Sequence, residues 1–278
     1  MYILFSNIDH LDHTVYSLLF FTPFLIAIIY GIFIALRFHY WYRIRAIEPH
    51  YKIILEKYYD YYTHLNASQK GSFERRVSLF VRGKTYFGKE GLEITDEMRV
   101  LVAATAVQIT FGFKFFQLPR FSKIIIYPSN FYNEKTKQLH KGEVYPMGRW
   151  IRLSWDNFLH GFGDPHDGIN LGLHEMTHAM SLENRIRNNG SHSFINSQAH
   201  AEWKTLAQAE MDKIKRKETS IFRKYASVNL EEFLAVSVEV FFEQTNKFQE
   251  YHPSLYTATT RLLKQDPLPG LSRKKKQL

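Results

Sequence analysis

His174 and His178, four residues apart, with Glu175 directly after the first, are the side chains of this 278-residue chain best arranged to do chemistry. On a helix, positions i and i+4 share a face, so both imidazoles can meet one metal ion. Glu175 projects beside them, where it can take a proton from a water the ion activates. Leu171, Leu173, Met176 and Met180 would bury such a helix against a core. The chemistry predicted is zinc-assisted hydrolysis.

A catalytic zinc needs a third protein ligand and an open fourth position. A histidine six residues after His178 cannot supply it, because position 184 is asparagine and position 181 is serine. The candidates are Glu202, the pair Glu231 and Glu232, and the histidines His192 and His200. Glu232 opens an otherwise apolar helix through Phe233, Leu234, Val236, Val238, Val240 and Phe241. A carboxylate on the buried side of such a helix costs several kcal/mol unless it is paired or binds a metal. Glu232 and Glu239 are seven residues apart and share a face, so one could ligate and the other brace a ligand histidine. Glu231 reads as an ordinary solvated carboxylate at a helix N-terminus.

Composition narrows the alternatives. The chain has no cysteine, which excludes disulfide scaffolds, Cys-ligated zinc or iron–sulfur sites and a Cys nucleophile. Its 45% hydrophobic and 16% aromatic content excludes disorder over most of its length.

From Thr14 to Leu36 there are 23 residues without a charge. A helix needs about 20 apolar residues to span a bilayer, so 14–36 is predicted to be a transmembrane helix in contact with lipid. Phe38, Tyr40, Trp41 and Tyr42 follow it as an interfacial belt. Arg37, Arg43 and Arg45 lie beyond the run and no Lys or Arg precedes it. The positive-inside rule then places the N-terminus outside and the remainder in the cytoplasm. These arginines, with Arg273, Lys274, Lys275 and Lys276 of the tail, account for most of the formal charge of +9. Such clusters suit an anionic membrane face, and no direct nucleic-acid binding is expected. The organisation predicted is an outward N-terminus at 1–13, the span at 14–36, a juxtamembrane segment at 37–50, a catalytic domain at 51–268 and a basic tail at 269–278.

Helices are predicted over 51–64, 69–81, 95–110, 170–180, 195–216, 229–244 and 252–264 from apolar spacing and capping residues. Strands are predicted at 123–127 and 149–155, with a loop at 161–168 and a turn at 188–190. Strands in the first half and helices in the second make the class α+β. The strand at Ile151–Ser154 is a candidate to hold a peptide by strand addition.

The segments 170–178 and 225–242 together resemble the Mlc titration factor A family of bacterial zinc metallopeptidases. Ile124–Pro128, Leu153–Trp155 and Gln265–Leu268 add weaker likeness, and the resemblance runs from about residue 65 to 268. It implies a zincin-like domain: a small mixed sheet, an active-site helix and a helical C-terminal half. It implies that His174, His178 and Glu232 bind Zn2+, that Glu175 is the general base, and that Tyr225 faces the site and stabilises an oxyanion. The activity implied is peptide hydrolysis. A membrane-tethered protein that sequesters a transcriptional repressor, its zinc structural or vestigial, is the alternative. The family's best-known member is soluble, so the apolar run at 14–36 is a departure.

Overall fold

This computed structural model describes residues 20–36, 47–114, 117–134, 136–164, 166–188 and 194–268. The chain divides into two units, Met1–Ala46 and Ile47–Leu278. In the first, residues 20–36 are helical (α1) and their apolar side chains, Phe20 to Leu36, are exposed. Among the described residues no helix is long and apolar enough to cross a membrane. Residues 14–19 of the predicted span, the arginines after it and the basic tail lie outside the described residues, as does His192.

The second unit is a mixed α+β body built around one hydrophobic core. Its N-terminal part contains α2 (Pro49–Tyr58), α3 (Asp60–Thr63), α4 (Ala67–Arg82), β1 (Thr85–Gly88) and α5 (Asp96–Thr110). The predicted helix at 51–64 is broken at Tyr59, which is extended so that Tyr59 and Tyr62 both enter the core. The Tyr59 hydroxyl donates to Gln108 Oε1 at 2.6 Å, which relieves the burial of both groups. Asn66 and Gln69 close a reciprocal capping box that starts α4. Thr95 caps α5 by accepting from the Met98 amide. Helix α5 is buried from Val100 to Thr110, and its Ala103, Ala104 and Ala106 leave room for neighbours on every side.

Next come β2 (Lys123–Tyr127), β3 (Phe131–Asn133), β4 (Gln138–His140), β5 (Gly142–Tyr145) and β6 (Trp150–Ser154). The main sheet has the order β1-β2-β6-β5, parallel except for β5, which runs antiparallel to β6. Strands β3 and β4 form a separate hairpin. Ile124, Ile126, Ile151 and Leu153 alternate inward and are fully buried. Each contributes about 1.5–3 kcal/mol by leaving water.

The rest is helical: α6 (Trp155–Gly163), α7 (Leu171–Asn188), α8 (Ser197–Lys215), a 3-10 turn at Lys224–Ser227, α9 (Leu230–Glu243), α10 (Thr245–Tyr251) and α11 (Pro253–Leu263). Helix α6 includes part of the segment predicted as a loop, because Phe158 buries and overrides the nearby glycines. Helix α7 runs eight residues past the predicted end at Met180. The polar residues there have tertiary partners: buried Glu183 accepts the Arg120 amide at 2.8 Å, and Asn184 Oδ1 accepts the Phe194 and Ile195 amides. Gly172 lets α7 approach closely, since a Cβ there would lie 2.7 Å from the Phe158 ring. Helix α7 packs on α5, α9 and the β5–β6 corner of the sheet.

Candidate metal centre

Asn170 sets the start of α7. Its side-chain oxygen accepts the Leu173 amide at 2.9 Å, and its carbonyl accepts the His174 amide. Leu173, Met176, Ala179 and Met180 then bury one side of the helix. His174, Glu175 and His178 emerge toward β5 and the first turn of α9. Asn229 caps α9 by accepting the Glu232 amide at 2.9 Å, which fixes Glu232 in that first turn, where a helix N-terminus favours a carboxylate.

These elements bring three ligand atoms together. His174 Nε2 lies 3.1 Å from His178 Nε2 and 3.1 Å from Glu232 Oε2, and the third side of the triangle is 3.5 Å. A tetrahedral ion with bonds of about 2.0–2.1 Å needs ligand atoms roughly 3.3 Å apart, so the triangle fits a zinc-sized cation. Glu232 Oε2 is buried and has no hydrogen-bond partner of good geometry. A buried carboxylate oxygen is rarely left so, and a cation among the three atoms would satisfy it. Among the described residues His174, His178 and Glu232 are the group so arranged.

The other candidate ligands are elsewhere. Glu202 pairs with Arg261 through both oxygens, at 2.9 and 3.1 Å, on the surface. Glu231 pairs with Arg185 at 2.8 Å. His200 is exposed and stacks over Trp203.

Glu239 braces the site. It is 1% exposed and accepts four hydrogen bonds: from His174 Nδ1 at 2.8 Å, the Asn170 amide at 2.7 Å, and Arg223 Nη1 and Nη2 at 3.0 and 2.7 Å. Donation from Nδ1 leaves the His174 Nε2 lone pair for the centre. Arg223 also donates to the Gly168 carbonyl at 2.9 Å, tying the loop before α7 to the same carboxylate. Neither Asn170 nor Arg223 was expected at the site. Both act over long sequence separations, which local spacing does not show.

Burial alone would lower the His174 pKa, but the adjoining Glu232 and Glu239 carboxylates hold it up, at about 10. A cation bound at Nε2 would displace a proton held there. Burial resists the Glu232 charge, but His174 and His178 outweigh it and hold its pKa well below the carboxylate range. Glu175 is 6% exposed, and burial, opposed by both histidines, raises its pKa to about 7. Tyr225 sits at the rim, half exposed, its ring 6.1 Å from that of His174. Burial and the Glu232 charge raise its phenol to about 12, so at neutral pH it remains a hydrogen-bond donor.

Strand β5 is the sheet edge beside α7, while β6 lies between β2 and β5. The strand at Ile151–Ser154 therefore cannot take a peptide by strand addition, because both its edges are paired. Ser154 N donates to Lys141 O at 2.8 Å, so in the β5–β6 register the main-chain groups of Gly142 and Val144 face away from β6.

An α+β body that offers two helix-borne histidines, an intervening glutamate and a glutamate from a second helix is of the kind seen in metallopeptidases. The chain belongs to the glucose-regulated metallo-peptidase M90 family, whose profile matches residues 36–264. It is 24% identical over 239 residues to an uncharacterized protein of Synechocystis sp., covering 81% of this chain and 86% of that one. It is 29% identical over 205 residues to Mlc titration factor A of Serratia proteamaculans, covering 66% and 75%. For Mlc titration factor A of Yersinia pestis the identity is 26% over 225 residues, covering 75% and 82%. The resemblance drawn from 170–178 and 225–242 is thus borne out.

Glu239→Gln is expected to weaken metal affinity about 10–100-fold, since it loosens the hold on His174 Nδ1. Competition against a chromophoric chelator measures this, with thermal unfolding as the check that Arg223 does not unfold the variant. Unchanged affinity would remove the bracing role.

Proposed function

We propose that this protein is a zinc metallopeptidase that hydrolyses peptide bonds. The observation carrying the reading is the convergence of His174 Nε2, His178 Nε2 and Glu232 Oε2, with the Glu175 carboxylate buried beside them. Those three residues would hold the zinc, which would supply Lewis acidity and acidify a nearby water toward neutral pH. Glu175 accepts the proton of the attacking water and returns it to the leaving amine nitrogen. Tyr225, a neutral donor at the rim, hydrogen-bonds the oxyanion of the tetrahedral intermediate. Glu239 keeps His174 oriented, and a peptide adds to the free edge of β5 at Gly142 and Val144. The domain is zincin-like in this reading.

The uncharged run at 14–36 and the arginines after it support a single-pass anchor in a bacterial cytoplasmic membrane, with the catalytic domain inside. Tethered there, the enzyme meets substrates near the membrane.

The name of the Serratia and Yersinia relatives favours a second reading, in which the chain titrates a transcriptional regulator such as Mlc and its zinc is structural. Hydrolysis of labelled casein by the full chain, lost on chelation and restored by about one zinc per chain, supports the peptidase. Tight binding of a regulator with no turnover, with or without zinc, would support the second reading instead.

A further inference from the structure

We propose that Gly142 is a positioning residue for Glu175: the missing side chain of this edge-strand glycine is the seat that holds the Glu175 carboxylate. The inference rests on the peptidase reading above. A Cβ built on Gly142 would lie 2.5 Å from both Cγ and Cδ of Glu175, and would also strike Oε1. Ordinary contact at such a Cβ begins at 3.4 Å, so any other residue here displaces the carboxylate by roughly 1 Å.

The backbone does not demand glycine at this place. Gly142 is not among the residues with positive φ. Glycine inside a strand is less stable than alanine, and there it often marks the close approach of another group. The strand cannot relieve the clash by shifting. Gly142 is in register with Leu153 and Val144 with Ile151, and both partners are fully buried in the core. The yielding group is therefore the Glu175 side chain, which leaves its place beside His174 and His178. A misplacement of about 1 Å at a reacting group costs on the order of 100-fold in rate.

The test is Gly142→Ala in the full chain, assayed on labelled casein, with zinc content, thermal unfolding and a crystal structure measured beside it. Expected are a folded protein with a cooperative thermal transition, about one zinc per chain, kcat reduced about 10–100-fold and KM within about twofold. The carboxylate is expected to shift by roughly 1 Å in the crystal. Glu175→Ala supplies the control, because it has none of the Cγ, Cδ and Oε1 atoms that the added methyl would strike. In that background Gly142→Ala should change kcat by less than about twofold, a non-additive pair. A Glu175 carboxylate that stays in place in Gly142→Ala, or an unchanged kcat, overturns the proposal. If the wild type cleaves nothing, the peptidase reading falls separately, and the crystallographic displacement alone decides whether Gly142 seats Glu175.

Discussion

Glu175→Gln is expected to leave the protein folded and metal-loaded while reducing peptide hydrolysis by about 10²–10⁴-fold, the range of general base catalysis. Glutamine has nearly the shape of glutamate, so the buried slot beside Gly142 stays filled. The substitution removes only the ability to take a proton. The three converging ligand atoms belong to other residues, so metal content should not change. Removing a buried carboxylate whose pKa burial has raised to about 7 should leave the melting temperature the same or slightly higher. Parallel zinc analysis and casein turnover on wild type and variant check this. Retained turnover would remove Glu175 from the mechanism, whereas lost zinc would mean that the residue holds the metal.

Glu232→Ala is expected to abolish both metal binding and hydrolysis. The loss in affinity should exceed the about 10–100-fold assigned to an outer partner such as Glu239, because one of the three ligands of the proposed centre disappears. It also leaves His174 and His178 facing each other at 3.1 Å with no carboxylate between them. Glu231→Ala and Glu202→Ala are the controls. Both residues sit in surface ion pairs, with Arg185 and Arg261, and their loss should change stability by no more than about 0.5 kcal/mol and leave zinc in place. Metal content by elemental analysis separates these outcomes. A Glu232→Ala protein that keeps its metal would show that the third ligand lies elsewhere.

The residues closest to the chemistry were legible in sequence because their chemistry is local. His174, Glu175 and His178 lie on one turn of helix, and Glu232 and Glu239 lie on one face of another. Spacing alone left the third ligand open among Glu202, Glu231, Glu232 and two histidines. Of these, the fold brings Glu232 to His174 and His178 by docking the first turn of α9 on α7. Arg223, Asn170 and Gly142 were not legible. Arg223 and Asn170 act through hydrogen bonds to Glu239 across 16 and 69 residues. Gly142 acts by having no side chain, and nothing in the sequence near it points to Glu175. The long helices were placed within a few residues at most ends, since apolar period and caps agree there. Strands β1, β3, β4 and β5 and helices α6 and α10 were missed. They are short, and their pairing or burial is decided by neighbours distant in the chain.

The central claim is tested most directly by anomalous diffraction at the zinc edge from crystals of the full chain loaded with one equivalent of zinc. The account predicts one strong peak in bonding contact with His174 Nε2, His178 Nε2 and one oxygen of Glu232, absent from Glu232→Ala crystals. No peak among these three side chains, or a peak held by other residues, would contradict it.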